Sequence, residues 1–458
     1  MRQRITIYNP NSNNNDIIKK LDKKNLELAL NEGQLPFIIE NKYTIPNPSL
    51  KLDKIAKFRI HSVFNNIPNP LFPFNQAHGI SIYMSPTKLS SQADIDEFYT
   101  ESNLLIEELL GIKTTSKNWI NSVNSIFYYD STPKDLKFNY KLFGNVPSSS
   151  NSNFDLLFDG EKLTLRQLFN SIDLQFNKDS SDYKEIGVFA IDESISDTKD
   201  DLVLNGFRVI FDPLSDETEN EGMLHKTMFH IKPRHRYLNK SIESTIKPNG
   251  LHPILSTKLQ ESKIIESDIK ECKLYYYINL NKSLIFDPFQ SIPQGANLTL
   301  NNGEKNLELP EYKINNWGNE ILFEFENYNK TEIDFTLHSR YQLPNNETTS
   351  TEVFQSHPKV FIGCNVDEFE LLSKSPFDTK GSIGGNYENY FTNDTVFYHF
   401  EKSSSDNLKI DIPHGTSNFE NVNFITTVSI IFGIVIIVIP IFKKLFNTPR
   451  TTVAKKNE

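Results

Sequence analysis

Residues 424–442, FITTVSIIFGIVIIVIPIF, carry no charge over 19 positions. At ~1.5 Å per residue a helix of this length is roughly 28 Å long, which matches the ~30 Å hydrocarbon core of a bilayer. A buried core helix is the other way to hide such a run. One without any polar face would be out of place in a chain whose mean hydropathy is −0.44. Gly433 and Pro440 are tolerated within membrane helices. The run is therefore read as a transmembrane helix, and the rest of the chain must fold beside a membrane.

The flanks set the orientation. Lys443, Lys444, Arg450, Lys455 and Lys456 follow the span, with Glu458 the only acid among them. Basic residues stay on the cytosolic side, so residues 443–458 are expected to be a cytosolic tail and the large remainder to be lumenal. The terminal KKNE places Lys455 and Lys456 where type I proteins of the endoplasmic reticulum carry a dilysine retrieval signal, an address read by a receptor. A basic stop-transfer flank is the plainer alternative. Against a lumenal domain, MRQRITIYNPNSNNN at the start lacks the apolar stretch of an ordinary signal peptide, and a tail-anchored protein with a cytosolic domain stays open on this evidence.

Before the span there is chain enough for two or three domains. The net charge is −10, and the tail is itself basic, so the folded part is still more acidic and does not suit a nucleic-acid surface. Cys272 and Cys364 are the only cysteines. They allow one structural bridge at most, which suits an oxidising compartment better than a redox site does.

Alternating apolar and polar residues mark strands at 4–8, 37–45, 57–64 and 79–85. Ile95, Phe98, Tyr99, Leu105, Ile106, Leu109 and Leu110 fall on one helical face, with Gly111 placed to end the helix. Trp119, Ile120, Val123, Ile126 and Phe127 repeat the spacing and predict a second helix ahead of Pro133. After the serine- and asparagine-rich stretch 148–153, strand patterns return at 154–158, 185–191, 207–213 and 228–231, with acidic loops between them. From about 240 onward nearly everything reads as strand, punctuated by turn residues, as in an antiparallel sandwich or barrel. The expected fold is mainly β. It comprises an N-terminal α+β region (1–150), a β-rich middle region (151–240), a C-terminal antiparallel β-sandwich (241–415), the transmembrane helix (424–442) and the tail (443–458).

Catalytic motifs are hard to find. The chain has no G-x-S-x-G elbow, P-loop or H-E-x-x-H. His225, His230 and His235 recur every five residues, a spacing that shares neither a helical nor a strand face, so no metal is expected. Asp94-Ile95-Asp96 has the D-x-D form seen in sugar transferases, but it opens a helix, where an acid serves as a cap. No cofactor is implied. Six sequons occur, at Asn239, Asn281, Asn297, Asn329, Asn346 and Asn393. They fit a glycosylated lumenal domain, although an asparagine-rich chain produces such triplets by composition alone.

One ordered series of motifs is recognisable: Gly250-Leu251-His252-Pro253, Cys272, FDPFQ (286–290), LELPEY (307–312), Trp317, TLHSRYQLP (336–344), Cys364, Ser375-Pro376-Phe377 and FTNDTVFYH (391–399), with the span after them. In this order they resemble the PIG-X family, in particular its fungal, protease-B-nonderepressible branch. The first 240 residues look like the fungal extension but carry no motif that can be matched. The resemblance implies a lumenal, non-catalytic subunit that stabilises the multi-spanning catalytic partner of glycosylphosphatidylinositol (GPI) mannosyltransferase I, which adds the first mannose during GPI-anchor synthesis. It favours the type I, lumenal topology, since fungal members also lack an ordinary signal peptide. His252, Asp287, His338, Arg340 and Tyr341 are the polar residues of these motifs. They are expected either to contact a partner or to serve as interior hydrogen bonds and turns. Ser429 and Gly433, four apart on the span, offer a surface for close helix approach. Two other readings stand beside this one: a general lumenal chaperone or binding module, and a glycosidase with paired carboxylates, for which no motif speaks.

Overall fold

The computed structural model describes residues 1–446 apart from 12–16, 49, 65–66, 68–70, 73–78, 123–124, 131–137, 140–152, 179–182, 193–201, 213–223, 262–263, 265–268, 316–317, 367–375, 378–389, 393 and 403–406. The tail with Lys455 and Lys456, the sequon at Asn393 and most of the 148–153 stretch lie outside the described residues. The protein is mainly β, with a long apolar helix at its C-terminal end.

An eleven-stranded sheet organises the N-terminal half, and its strands run in sequence from Arg2–Tyr8 to Leu224–Ile231. Arg2–Tyr8 sits inside it, antiparallel to Phe37–Pro46 and parallel to Tyr183–Ile191. Residues on both sides of the boundary expected at 150 therefore contribute to one sheet. Alternation along the strands sends Ile5, Ile7, Phe37 and Ile39 to one face, where a three-stranded sheet carrying Leu26, Leu28 and Leu174 covers them. The helix Gln92–Leu110 covers the neighbouring part, burying Phe98, Leu105, Ile106, Leu109 and Leu110 on Phe58, Ile60, Ile80 and Ile82. Ser91 and Asp94 close its first turn as a capping box, and Gly111, at φ 70°, ends it. The Asp94 carboxylate also meets Lys54. The D-x-D segment is thus a helix cap.

The second predicted helix is not formed. Ile120–Ser122 and Ser125–Asp130 make a hairpin that closes one edge of the large sheet, with Ile126 opposite Met84 and Tyr128 opposite Ile82. Aromatic and β-branched residues dominate this stretch, and such side chains pack better on a pleated surface than around a helix.

The C-terminal half is built on an eight-stranded sheet that begins with His235–Lys247. Two strand pairs, Leu284–Ile285 with His338–Ser339 and Ser350–Gln355 with Leu408–Pro413, supply further layers. Their Leu284, Val353, Ile410 and Ile412 join Tyr276, Phe323, Phe335 and Ile362 in one core. Cys272 and Cys364 stand opposite each other on adjacent antiparallel strands and are joined, S–S 2.11 Å.

The halves touch. Tyr129 is hydrogen-bonded to Asn279 and Ser356, and Asn118 Nδ2 donates to the Asn315 carbonyl at 3.0 Å. Phe377 packs edge-on against Phe189 and Phe229. The helix Phe419–Phe446 leaves the sandwich at Pro413; its candidate span, Phe419–Lys444, has no buried share in its apolar window.

Candidate partner-contact site

The motifs that stand apart in the sequence converge in space. His338–Ser339 pairs with Leu284–Ile285 on one side. On the other, the Leu337 and Ser339 amides donate to the carbonyls of Pro253 and Leu251, each at 2.8 Å. The strip 337–339 thus lies between the Gly250–Pro253 motif and the strand that enters FDPFQ. The ring of His252 meets that of His338 edge-on, centroids 4.6 Å apart.

Asp287 is buried, and its role is local. Its Oδ1 accepts from the Phe289 amide at 2.9 Å and its carbonyl from the Ser291 amide at 2.8 Å. Asp-Pro turns are built this way. Burial pushes the His338 imidazole below its ordinary value, and His252 adds to the shift while Asp287 opposes it. His338 therefore stands neutral at pH 7. Its Nε2 and the Ser339 hydroxyl are buried without a hydrogen-bond partner.

Arg340 is buried too. It donates from Nη1 to the carbonyls of Asn306 and Leu309, the latter at 2.8 Å, while its own amide donates to Ser283 at 2.8 Å. One guanidinium thus ties the LELPEY loop to the strand pair. Gly318 sits hard against the backbone that follows Ile269–Asn279, where a Cβ would lie 2.2 Å from the Leu280 carbonyl oxygen. The Tyr341 carbonyl accepts from Glu311 at 3.0 Å, but its side chain is 67% exposed.

Of the five polar candidates, then, Asp287 and Arg340 maintain loops, His338 is half-buried, and His252 and Tyr341 reach solvent. The same segments expose apolar side chains that the polar pattern passes over: Phe289 at 95%, Leu343 at 62%, and Leu307 and Tyr312 about half. Large apolar residues held out on fixed loops are the usual make-up of a contact surface. Their signal in the sequence is a bulky residue in a proline-bounded motif with no strand or helix period to bury it.

The chain just beyond Leu343 meets the segment that leads into the apolar helix. Just after Pro344, the Asn345 amide donates to the Gly415 carbonyl at 3.2 Å, and the His414 amide to Thr349 at 3.2 Å. The apolar helix starts at Phe419. The four Cα-to-Cα steps from Gly415 to Phe419 span at most ~14 Å when extended.

Among the described residues no three His, Cys, Asp or Glu side chains gather as a metal site. His235 instead pairs with His399, Nδ1 to Nε2 at 2.9 Å. Of the sequons, Asn239, Asn297, Asn329 and Asn346 are exposed. Asn281 is half-buried, its amide donating to Phe354 at 3.2 Å and its Oδ1 accepting from Ser283 at 2.9 Å.

Comparison with known proteins gives a consistent picture. The family model described as PIG-X / PBN1 matches residues 248–442. Protein PBN1 of Candida albicans is 48% identical over 97% of this chain and 98% of its own length. Protein PBN1 of Debaryomyces hansenii is 39% identical across the whole of both chains. That of Saccharomyces cerevisiae is 28% identical over 67% of this chain and 66% of its own. A solved structure, the T6 backbone pilin of Streptococcus pyogenes, covers 82% of this chain and 64% of that one at TM-score 0.16 and 8% identity, a likeness too slight to bear on the fold.

Proposed function

The chain belongs to the PIG-X/PBN1 family, and from that premise we propose that it is a non-catalytic subunit of GPI mannosyltransferase I. In this reading it stabilises the multi-spanning catalytic subunit in the endoplasmic reticulum membrane, with its β-domains lumenal. The observation that carries the reading is the composition of the motif cluster. Two of its polar residues, Asp287 and Arg340, are spent on loops, while its outward face carries Phe289, Leu307, Tyr312, Tyr341 and Leu343. Such a face suits holding a partner and offers no group poised to transfer a sugar.

The decisive experiment is depletion of this chain. Catalytic-subunit abundance should fall before turnover per molecule does, first-mannose addition should fall in proportion, and the unmannosylated glycolipid should accumulate. Tyr341→Ala with Leu343→Asp should reproduce the defect in a folded protein. Normal partner abundance with abolished mannosylation, or transfer by this chain alone, would overturn the proposal. Co-purification with many soluble clients in place of one multi-spanning partner would favour the general chaperone instead. The topology is tested by endoglycosidase treatment: a mobility shift supports lumenal sequons. Replacing Lys455 and Lys456 by Ser should release a fraction of the protein toward the Golgi if the dilysine retrieves it.

A further inference from the structure

The face of the eleven-stranded sheet opposite the helix carries an arrangement that the partner-contact reading leaves unused. Arg4, Lys42 and Arg166 occupy directly paired positions on three adjacent strands, with Lys42 in the middle. Side chains at paired positions share a face and lie about 5 Å apart at their Cβ atoms, where like charges destabilise a sheet. The row ends in carboxylates, Glu185 opposite Arg4 and Asp155 opposite Arg166, but each is shared with arginines outside the trio. Asp155 is held by Arg59 at 2.7 Å, and Glu185 lies between Arg2 and Arg208 at 3.6 and 3.3 Å. Glu40 forms an ion pair with one of the three, 3.8 Å from Arg4. Among the described residues Lys42 and Arg166 make no ion pair, and Arg4 Nε is buried without an acceptor. In a chain of net charge −10 this is no general surplus of base.

We propose that Arg4, Lys42 and Arg166 form a binding site for a phosphate-bearing anion. With the shared carboxylates counted, the six cations Arg2, Arg4, Lys42, Arg59, Arg166 and Arg208 face three acids, Glu40, Asp155 and Glu185, so positive charge is left to balance. A phosphate monoester carries about −1.5 to −2 at pH 7, whereas one carboxylate carries half that. Two guanidinium forks flanking an ammonium also suit the oxygens of a phosphate. The three side chains are half-buried, so an ion can enter and still be largely desolvated. Arg4 Nη2 also donates to the Pro376 carbonyl at 3.2 Å, so the site opens beside the seam where Phe377 joins the two halves. Burial and the flanking arginines push the Lys42 ammonium down to about 8, so binding should weaken as pH rises past that value.

The test is thermal unfolding of the full-length protein in mild detergent, with inorganic phosphate compared with chloride at matched ionic strength. Phosphate should raise the melting temperature by several degrees. Lys42→Gln with Arg166→Gln should lose that increment yet melt higher than wild type in chloride, because the repulsion is gone. Should that variant fail to accumulate, Arg166→Lys keeps the charge but loses the fork, and should bind phosphate several-fold more weakly. Glycerol 3-phosphate and phosphatidic acid, added to the same micelles, distinguish a soluble ester from a lipid headgroup, and a shift with either supports the site. Equal responses to phosphate and chloride, an increment retained in the double variant, or an equal shift with polyglutamate would each overturn it.

Discussion

Arg340 shows how far a single side chain reaches. Its guanidinium is shared between carbonyls of one loop, and its backbone fastens another. Arg340→Met should leave those carbonyls unpaired and cost about 2–4 kcal/mol, since each charged hydrogen bond contributes about 1.5–3. A lowered melting temperature would register this, whereas Tyr341→Ala should leave stability unchanged. A second residue-scale consequence concerns protons. His61, His235 and His399 are buried, and burial pushes each imidazole below its ordinary value, His61 to about 3, with nearby cations (Arg59, Arg234, Lys359) reinforcing the shift. Below pH ~6.5 the unfolded chain binds protons that the folded one refuses, so stability rises with pH and is lost on acidification, about 1.4 kcal/mol per pH unit for each histidine. Denaturant titrations at pH 7.5, 6.5 and 5.5 should show the fall, and His61→Gln should reduce its slope. A flat profile would place these rings in water. The motif residues were legible because they are polar residues in an unusual order. Their roles were not, because whether Arg340 faces a carbonyl or a partner depends on a loop some 30 residues away.

At the scale of elements, spacing alone was ambiguous where apolar residues are also β-formers. Trp119 to Phe127 satisfies a helical stripe, yet the edge beside Gly79–Pro86 offered backbone partners that no local pattern reveals. The helix Gln92–Leu110 was legible because its stripe, cap and terminal glycine agree. The paired strands with Cys272 and Cys364 make a prediction of their own. A closed loop of about 90 residues stabilises by roughly 4–5 kcal/mol in the chain-entropy account, less if strained. Cys272→Ser and Cys364→Ser should be equally destabilised, and the double variant no worse. Free thiols on alkylation of the unreduced protein would contradict this.

In the whole molecule, the mostly β character and the final helix could be read from patterning, but the weave of the large sheet could not. Its parallel pair joins Arg2–Tyr8 to Tyr183–Ile191, and contacts at that separation leave no periodic trace. The three residues between Gly415 and Phe419 bear on assembly in another way. A leash that short keeps the surface around Tyr341 within a small volume above the helix. Once the helix has met a partner in the bilayer, the second contact becomes intramolecular, at an effective concentration that short linkers raise to the millimolar range. Each contact alone can then be weak while the pair holds firmly. Inserting ten or twenty Gly-Ser residues after Gly415 should leave folding and insertion intact but loosen capture of the partner in detergent, more so for the longer insert. Undiminished capture would mean that the helix alone does the holding.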